Sequence, residues 1–277
     1  MSIDLQESFV LLFNFMPAIK LNGSGLFMKK KICALVMVLM LIPVLCFAYR
    51  YNPRSAGLVV DNSFRVLAVN INGLAYRRGI RPGDVITQIQ VNNTVLTSEE
   101  AMKYIESTDD VTYIIKYQHK GVDQPSVTMQ NERMKDLADR TTFLVLGNAE
   151  ENYATLVKTL TFNPNLTALF PVQSSDKDLK TLRTYSNIND RVAKGISQYV
   201  ITPGGEGLGL NEVETLGNFA VIDEPMNGCT LLKMNFNFHV NYSYLFGTSS
   251  MNCETSGMLE KKVIHCMFDN NLGIKAP

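Results

Sequence analysis

Gly79-Ile80-Arg81-Pro82-Gly83-Asp84-Val85-Ile86 is the stretch that decides the fold. Pro82-Gly83 marks a tight turn that delivers the chain into a strand over Val85 to Val91. Upstream, Leu58-Val59-Val60 and Phe64 to Val69 are short β-branched-rich runs separated by the turn triplet Asp61-Asn62-Ser63. Gly73 and a short helical stretch, Leu74 to Arg78, lead back to the starting motif. Downstream, Thr97-Ser98-Glu99-Glu100 fits a capping box with Thr97 as N-cap and Glu100 at the third helical position. The helix it opens runs to about Ser107 and places Ala101, Met102 and Ile105 on one side. Val111 to Tyr117 is a further strand; Lys120-Gly121 and Pro125 surround a hairpin loop, and Ser126 to Met129 closes the set.

This order resembles a PDZ domain of the bacterial type, which accompanies secreted serine proteases of the high-temperature-requirement class and several envelope proteins. The resemblance covers residues 51–130. It implies a small, partly open β-barrel with two helices, which binds a protein C-terminus or an extended peptide by pairing it to an exposed sheet edge. The family's Gly-Leu-Gly-Phe carboxylate loop falls on Ser55-Ala56-Gly57-Leu58, with Ser55 in place of the first glycine. The amides of Ala56, Gly57 and Leu58 are the implied donors, Leu58, Val59 and Val60 the implied pairing strand, and Ser98, Met102 and Ile105 the implied helix wall. Arg54 stands where a basic side chain adds charge beside the carboxylate or is simply solvated. Met102 and Ile105 serve equally as groove lining or as ordinary core.

Beyond Gln130 no family is recognised, and residues 131–277 read as an α+β domain with an antiparallel sheet; the chain as a whole is α+β. Asn131 to Arg140 is polar and reads as a linker or connecting helix. Thr142 to Leu146 is a strand; Asn148 caps a helix from Ala149 to Phe162, which stops at Asn163-Pro164. Asp176 to Tyr185 and Ile188 to Ser197 carry helical spacing, and Tyr199-Val200-Ile201 reads as a short strand. From Leu232 to Tyr244 apolar residues alternate with polar ones, the period-two pattern of a strand with one wet face. Val263 to Phe268 is predicted as another strand.

The N-terminus has a different character. Lys29-Lys30-Lys31 precedes eighteen uncharged residues, Ile32 to Tyr49, with Cys46-Phe47-Ala48 resembling an A-x-A cleavage site. Residues 28–48 are predicted to be a secretory signal peptide, the alternative being an uncleaved inner-membrane anchor. Residues 1–27 carry no motif and read as upstream extension. The expected location is periplasmic or secreted, with membrane contact only if the segment stays uncleaved. The chain has 26 basic and 26 acidic residues. That balance excludes a typical nucleic-acid binder, which needs a basic excess.

Three cysteines follow the signal segment, Cys229, Cys253 and Cys266, and an oxidising compartment predicts that two of them pair. Their spacing lacks the C-x2-C of a zinc site, so no metal or cofactor is expected. The three histidines, His119, His239 and His265, form no recognisable catalytic order with a nucleophile. Gly247-Thr248-Ser249-Ser250-Met251 lacks the last glycine of G-x-S-x-G, and Gly204 to Gly209 reads as a turn rather than a phosphate loop. No catalytic residue is assigned. The expected function is an exported adaptor or sensor that captures protein C-termini. The alternatives are a hydrolase or protease-associated enzyme, with Ser249, His239 and Cys266 as its candidate residues, and a membrane-anchored secretion component.

Overall fold

The computed structural model describes residues 53–189, 200–201, 209–223, 228–244 and 247–269. The expectations for residues 1–48 and for the glycine-rich turn before Gly209 fall outside them. The described residues belong to one compact unit.

The first half follows its turn chemistry. β1 (Arg54–Ser55), β2 (Leu58–Val60) and β3 (Val66–Asn70) lead to α1 (Leu74–Arg77) and β4 (Val85–Val91). β5 (Thr94–Val95) precedes α2 (Ser98–Glu106), whose N-terminus carries the predicted reciprocal capping box between Thr97 and Glu100. β6 (Thr112–His119), β7 (Val122–Asp123), β8 (Val127–Gln130) and β9 (Glu132–Arg133) complete this half. β5, β4, β6 and β7 form a curled antiparallel sheet with β8 added to β6, and β1 pairs with β9. Gly83 adopts φ +91° in the Pro82-Gly83 turn, the left-handed conformation glycine enters without a Cβ clash.

In the second half, β10 (Thr142–Leu146) is followed by α3 (Ala149–Phe162), capped by Asn148, and by the short α4 (Pro164–Thr167). Then come β11 (Val172–Asp176), β12 (Thr181–Asn189), β13 (Val200–Ile201), β14 (Gly209–Asp223), β15 (Cys229–Tyr244) and β16 (Gly247–Thr255). The chain's last described element is α5 (Met258–Phe268).

The sheet order β11-β12-β14-β15-β10-β3-β2, with β16 beside β15, changes the expected organisation. β3 pairs antiparallel with β10 through Phe143↔Asn70, Leu144↔Val69 and Val145↔Ala68. The boundary expected near residue 130 is therefore bridged by main-chain hydrogen bonds, and the two regions share one sheet. β2 and β3 are buried on both faces as a result. Leu58 and Val60 point into a core with Ile80, Ile89, Ile105 and Tyr113, while Val59 points into a second core with Phe143, Leu156, Phe236, Val263 and Ile264. Such double burial favours continuous apolar runs, as in Leu58-Val59-Val60.

Three expectations are corrected. Val263 to Phe268 lies within the helix α5 rather than in a strand. The run alone is too short to separate the two, but the buried residues Leu259, Glu260, Val263, Ile264 and Met267 fall at i, i+1, i+4, i+5 and i+8, which a helix brings to one face and strict strand alternation does not. Asp176 to Tyr185 is not helical: Lys177 to Lys180 turns the chain between β11 and β12, and β12 buries Leu182, Thr184, Ser186 and Ile188 at period two. Ile188 and Asn189 belong to that strand, and the rest of the helix expected there lies outside the described residues. Gly209–Asp223, assigned to no element from sequence, is a strand of fifteen residues.

Candidate functional site

The site implied by the resemblance starts at the loop Ser55–Gly57. Gly57 adopts φ +71°, and a Cβ there would meet the Gly73 Cα at 3.0 Å and the Asn70 Cβ at 3.1 Å. Only glycine fits this turn, because conformation and space both exclude a side chain. The Gly57 N–H donates to Ser55 Oγ (3.1 Å), so Ser55 ties the loop to itself. Ala56 O and Gly57 O accept from the amides of Ala75 and Asn70.

β2 leaves this loop as the terminal strand of its sheet, with β3 as its strand partner. α2 buries Ile105 in the same core as Leu58 and Val60, half-buries Met102 and exposes Ser98. The edge of β2 is not open. Leu58, Val59 and Val60 are only 1, 1 and 2% exposed, and Ser55 and Ala56 are each 1% exposed. The expected exposed margin is corrected to a covered one.

Part of what covers it is α5. This helix packs against β2 and β3. Lys261 Nζ donates to Ser55 Oγ at 3.3 Å, and His265 Nε2 lies 4.0 Å from Glu106 Oε1 at the end of α2. α5 therefore touches both walls of the expected groove. Lys261 is 5% exposed, and burial pulls its ammonium down to about 8, with Glu106 opposing. The adjacent Glu260 is fully buried, and burial pushes its carboxyl up to about 7 although Thr255 Oγ1 donates to its Oε2 (2.9 Å). Its Oε1 is buried without a hydrogen-bond partner among the described residues. Burial, together with the charge on Lys261, also holds His265 below the usual imidazole range. Sequence reading missed these two charges because Lys261 reaches Ser55 across 206 positions.

Arg54 does not face the loop as a spare charge: its guanidinium pairs with Asp110 (3.0 Å) and donates to Asn131 O (3.3 Å). The predicted pairing is corrected: none of Cys229, Cys253 and Cys266 is in a disulfide. Cys229 packs in one core and Cys253 in the other, and burial raises the Cys253 thiol to about 11. The enzymatic candidates do not converge. His239 pairs across the sheet with Asn252, and Ser249, three residues away on β16, faces the opposite side by strand parity. Cys266 is on α5. His119 Nδ1 lies 2.6 Å from the buried Asp84 Oδ1, which anchors the turn where Arg81 N–H also donates to Asp84. Among the described residues no three metal-ligating side chains cluster, and no helix is long and apolar enough to cross a membrane. Compared with known proteins, the chain matches no family model, no curated protein and no solved structure.

Proposed function

We propose that this protein is an exported polypeptide-capturing module of the PDZ kind, in which β2 pairs with an extended C-terminal segment and α2 forms the opposite wall. The observation that carries the reading is the glycine-only turn at Gly57, which leads directly into a terminal strand with a single strand partner, whose Leu58 and Val60 share a core with Ile105 of the capped helix α2. Such a strand edge presents unpaired amide and carbonyl groups once uncovered, and an extended peptide satisfies them in register. Since β2 is covered, capture requires the edge to open, and α5 is the element whose displacement would uncover it. The basic and apolar run at 29–49 supports capture on the outer side of a membrane.

The test is fluorescence polarisation with a pool of labelled peptides that end in apolar residues. The expected result is binding that falls at least tenfold when the terminal carboxyl is amidated, and equally in Met102→Glu, which places a charge on the half-buried helix wall. Absence of binding to any free-carboxyl peptide, or equal binding by Met102→Glu, would remove the proposal.

A further inference from the structure

We propose that the outer face of the large sheet, where β12, β14, β15 and β16 lie side by side, is a binding site for a neutral oligosaccharide. Asparagine is depleted in β-strands because it packs poorly on a pleated surface and competes for backbone hydrogen bonds. These four strands nevertheless place Asn187, Asn218, Asn235, Asn237, Asn241 and Asn252 on the face away from the core, where none is buried. Asn241 donates to Glu212, Asn218 accepts from Arg183, and Asn187 bonds Glu212, while Asn235 and Asn237 project from the same face; a residue type that strands disfavour, recurring on one face, marks a candidate ligand surface.

The register arranges these side chains in rows. One row runs Tyr185, Leu216, Asn237, and the next runs Asn187, Glu214, His239, Asn252. A cleft of about 410 Å³ is lined by Tyr185, Leu216 and Asn237 of the first row and by Glu214, His239 and Asn252 of the second. Tyr185 is 42% exposed and, with Leu216 opposite it, supplies a small apolar platform. Beside that platform stand a carboxylate, an imidazole and two carboxamides. His239 Nδ1 sits 2.9 Å from Asn252 Oδ1; in the tautomer in which Nδ1 donates to that oxygen, Nε2 is an acceptor.

The ligand chemistry follows from this set. A sugar ring has an apolar C–H face that lies on an aromatic ring, and a rim of hydroxyls that both donate and accept. Glu214 and His239 Nε2 accept, and Asn237 does both. A polyanion is disfavoured because Glu214 lines the cleft. An extended peptide binds to strand edges, whereas this is a sheet face whose backbone is already paired on both sides. The site is separate from the β2 edge and stands or falls without it.

The experiment is isothermal titration of the full chain with three neutral tetrasaccharides (β-1,4-linked glucose, β-1,4-linked N-acetylglucosamine and α-1,4-linked glucose). A heparin tetrasaccharide and a lysine-rich peptide serve as controls, and sedimentation is run in parallel. The expected result is binding of at least one neutral tetrasaccharide at about 1 mM or tighter. Tyr185→Ala and Asn237→Ala should each weaken it at least tenfold while leaving the unfolding temperature unchanged, since both side chains lie at the surface. No neutral binding at millimolar concentration, binding only to heparin or the cationic peptide, or affinity unmoved by both substitutions would overturn the proposal. Self-association through the asparagine rows without sugar binding would also overturn it.

Discussion

At the scale of single residues, the unusual feature is a helix that buries an acid and a base next to each other without pairing them. Glu260 bonds Thr255 and Lys261 bonds Ser55, on different sides of α5. The consequences have opposite signs. The carboxyl of Glu260 rises from 4.5 to about 7 on burial, so its contribution to stability is complete below pH 4.5 and is lost as pH rises through 7. The ammonium of Lys261 falls from 10.5 to about 8, so its contribution is complete above pH 10.5 and is lost as pH falls through 8. Between pH 7 and 8 both are charged and α5 is held least firmly. Arg140 favours the charged form of Glu260, Asp139 opposes it, and Glu106 favours that of Lys261. Glu260→Gln keeps the Thr255 contact without the charge. Its unfolding temperature should match the parent near pH 4.5 and exceed it by several degrees at pH 8, on the order of 3 kcal/mol at most. Thermal melts at the two pH values check this, and a difference that is constant with pH would contradict the assigned burial of a charge.

At the scale of elements, β14 shows how tightly the long strands are matched. Val213, Thr215, Phe219 and Val221 are buried on its inner face, and Gly217 sits among them. A Cβ on Gly217 would lie 2.4 Å from Thr184 Oγ1 and 3.0 Å from the rings of Phe219 and Phe236. The Phe219 and Phe236 rings meet edge-on at 5.2 Å, and Phe236 also tilts against Phe170 at 5.4 Å, so the pocket has little freedom to relax. Gly217→Ala should therefore destabilise the protein by about 1–3 kcal/mol. Urea denaturation measures this, and a neutral effect would mean that the ring cluster gives way. Elements announced by local chemistry were legible in the sequence: the Thr97–Glu100 box, the Asn148 cap and the alternation from Leu232 to Tyr244. β12 and β14 were not, because Gly217 and the inward threonines Thr184 and Thr215 interrupt the apolar half of the alternation. α5 was misread because its apolar stripe also contains Glu260 and Lys261, which look like surface residues until the fold buries them. The glycine turn and α2 wall of the candidate site were readable; its cover was not, since it comes from the far end of the chain.

At the scale of the whole molecule, β3–β10 pairing fuses the first half of the described chain to the second, and α5 returns the chain to Ser55 near the start of the first half. The same helix fills the second core through Leu259, Val263, Ile264 and Met267 and touches Ser55 ahead of β2 and Glu106 at the end of α2. On the proposed function, opening the β2 edge and undocking α5 are one event, so peptide affinity should be linked to the stability of α5. A ligand that binds only an open state has an apparent dissociation constant equal to the intrinsic one divided by the open fraction. Ile264→Ala removes buried methylenes at a fully buried position of α5, and such truncations cost about 2–5 kcal/mol. If most of that loss falls on the docked helix, the open fraction rises and peptide binding tightens, by up to about tenfold for each 1.4 kcal/mol shifted while the open state is rare. Ile264→Ala should thus lower the unfolding temperature and strengthen capture of a free-carboxyl peptide together. Polarisation titrations of parent and variant, at a temperature where both are folded, decide the matter. Affinity that is unchanged or weaker while stability falls would mean that α5 is a permanent part of the core and that β2 is never offered to a partner.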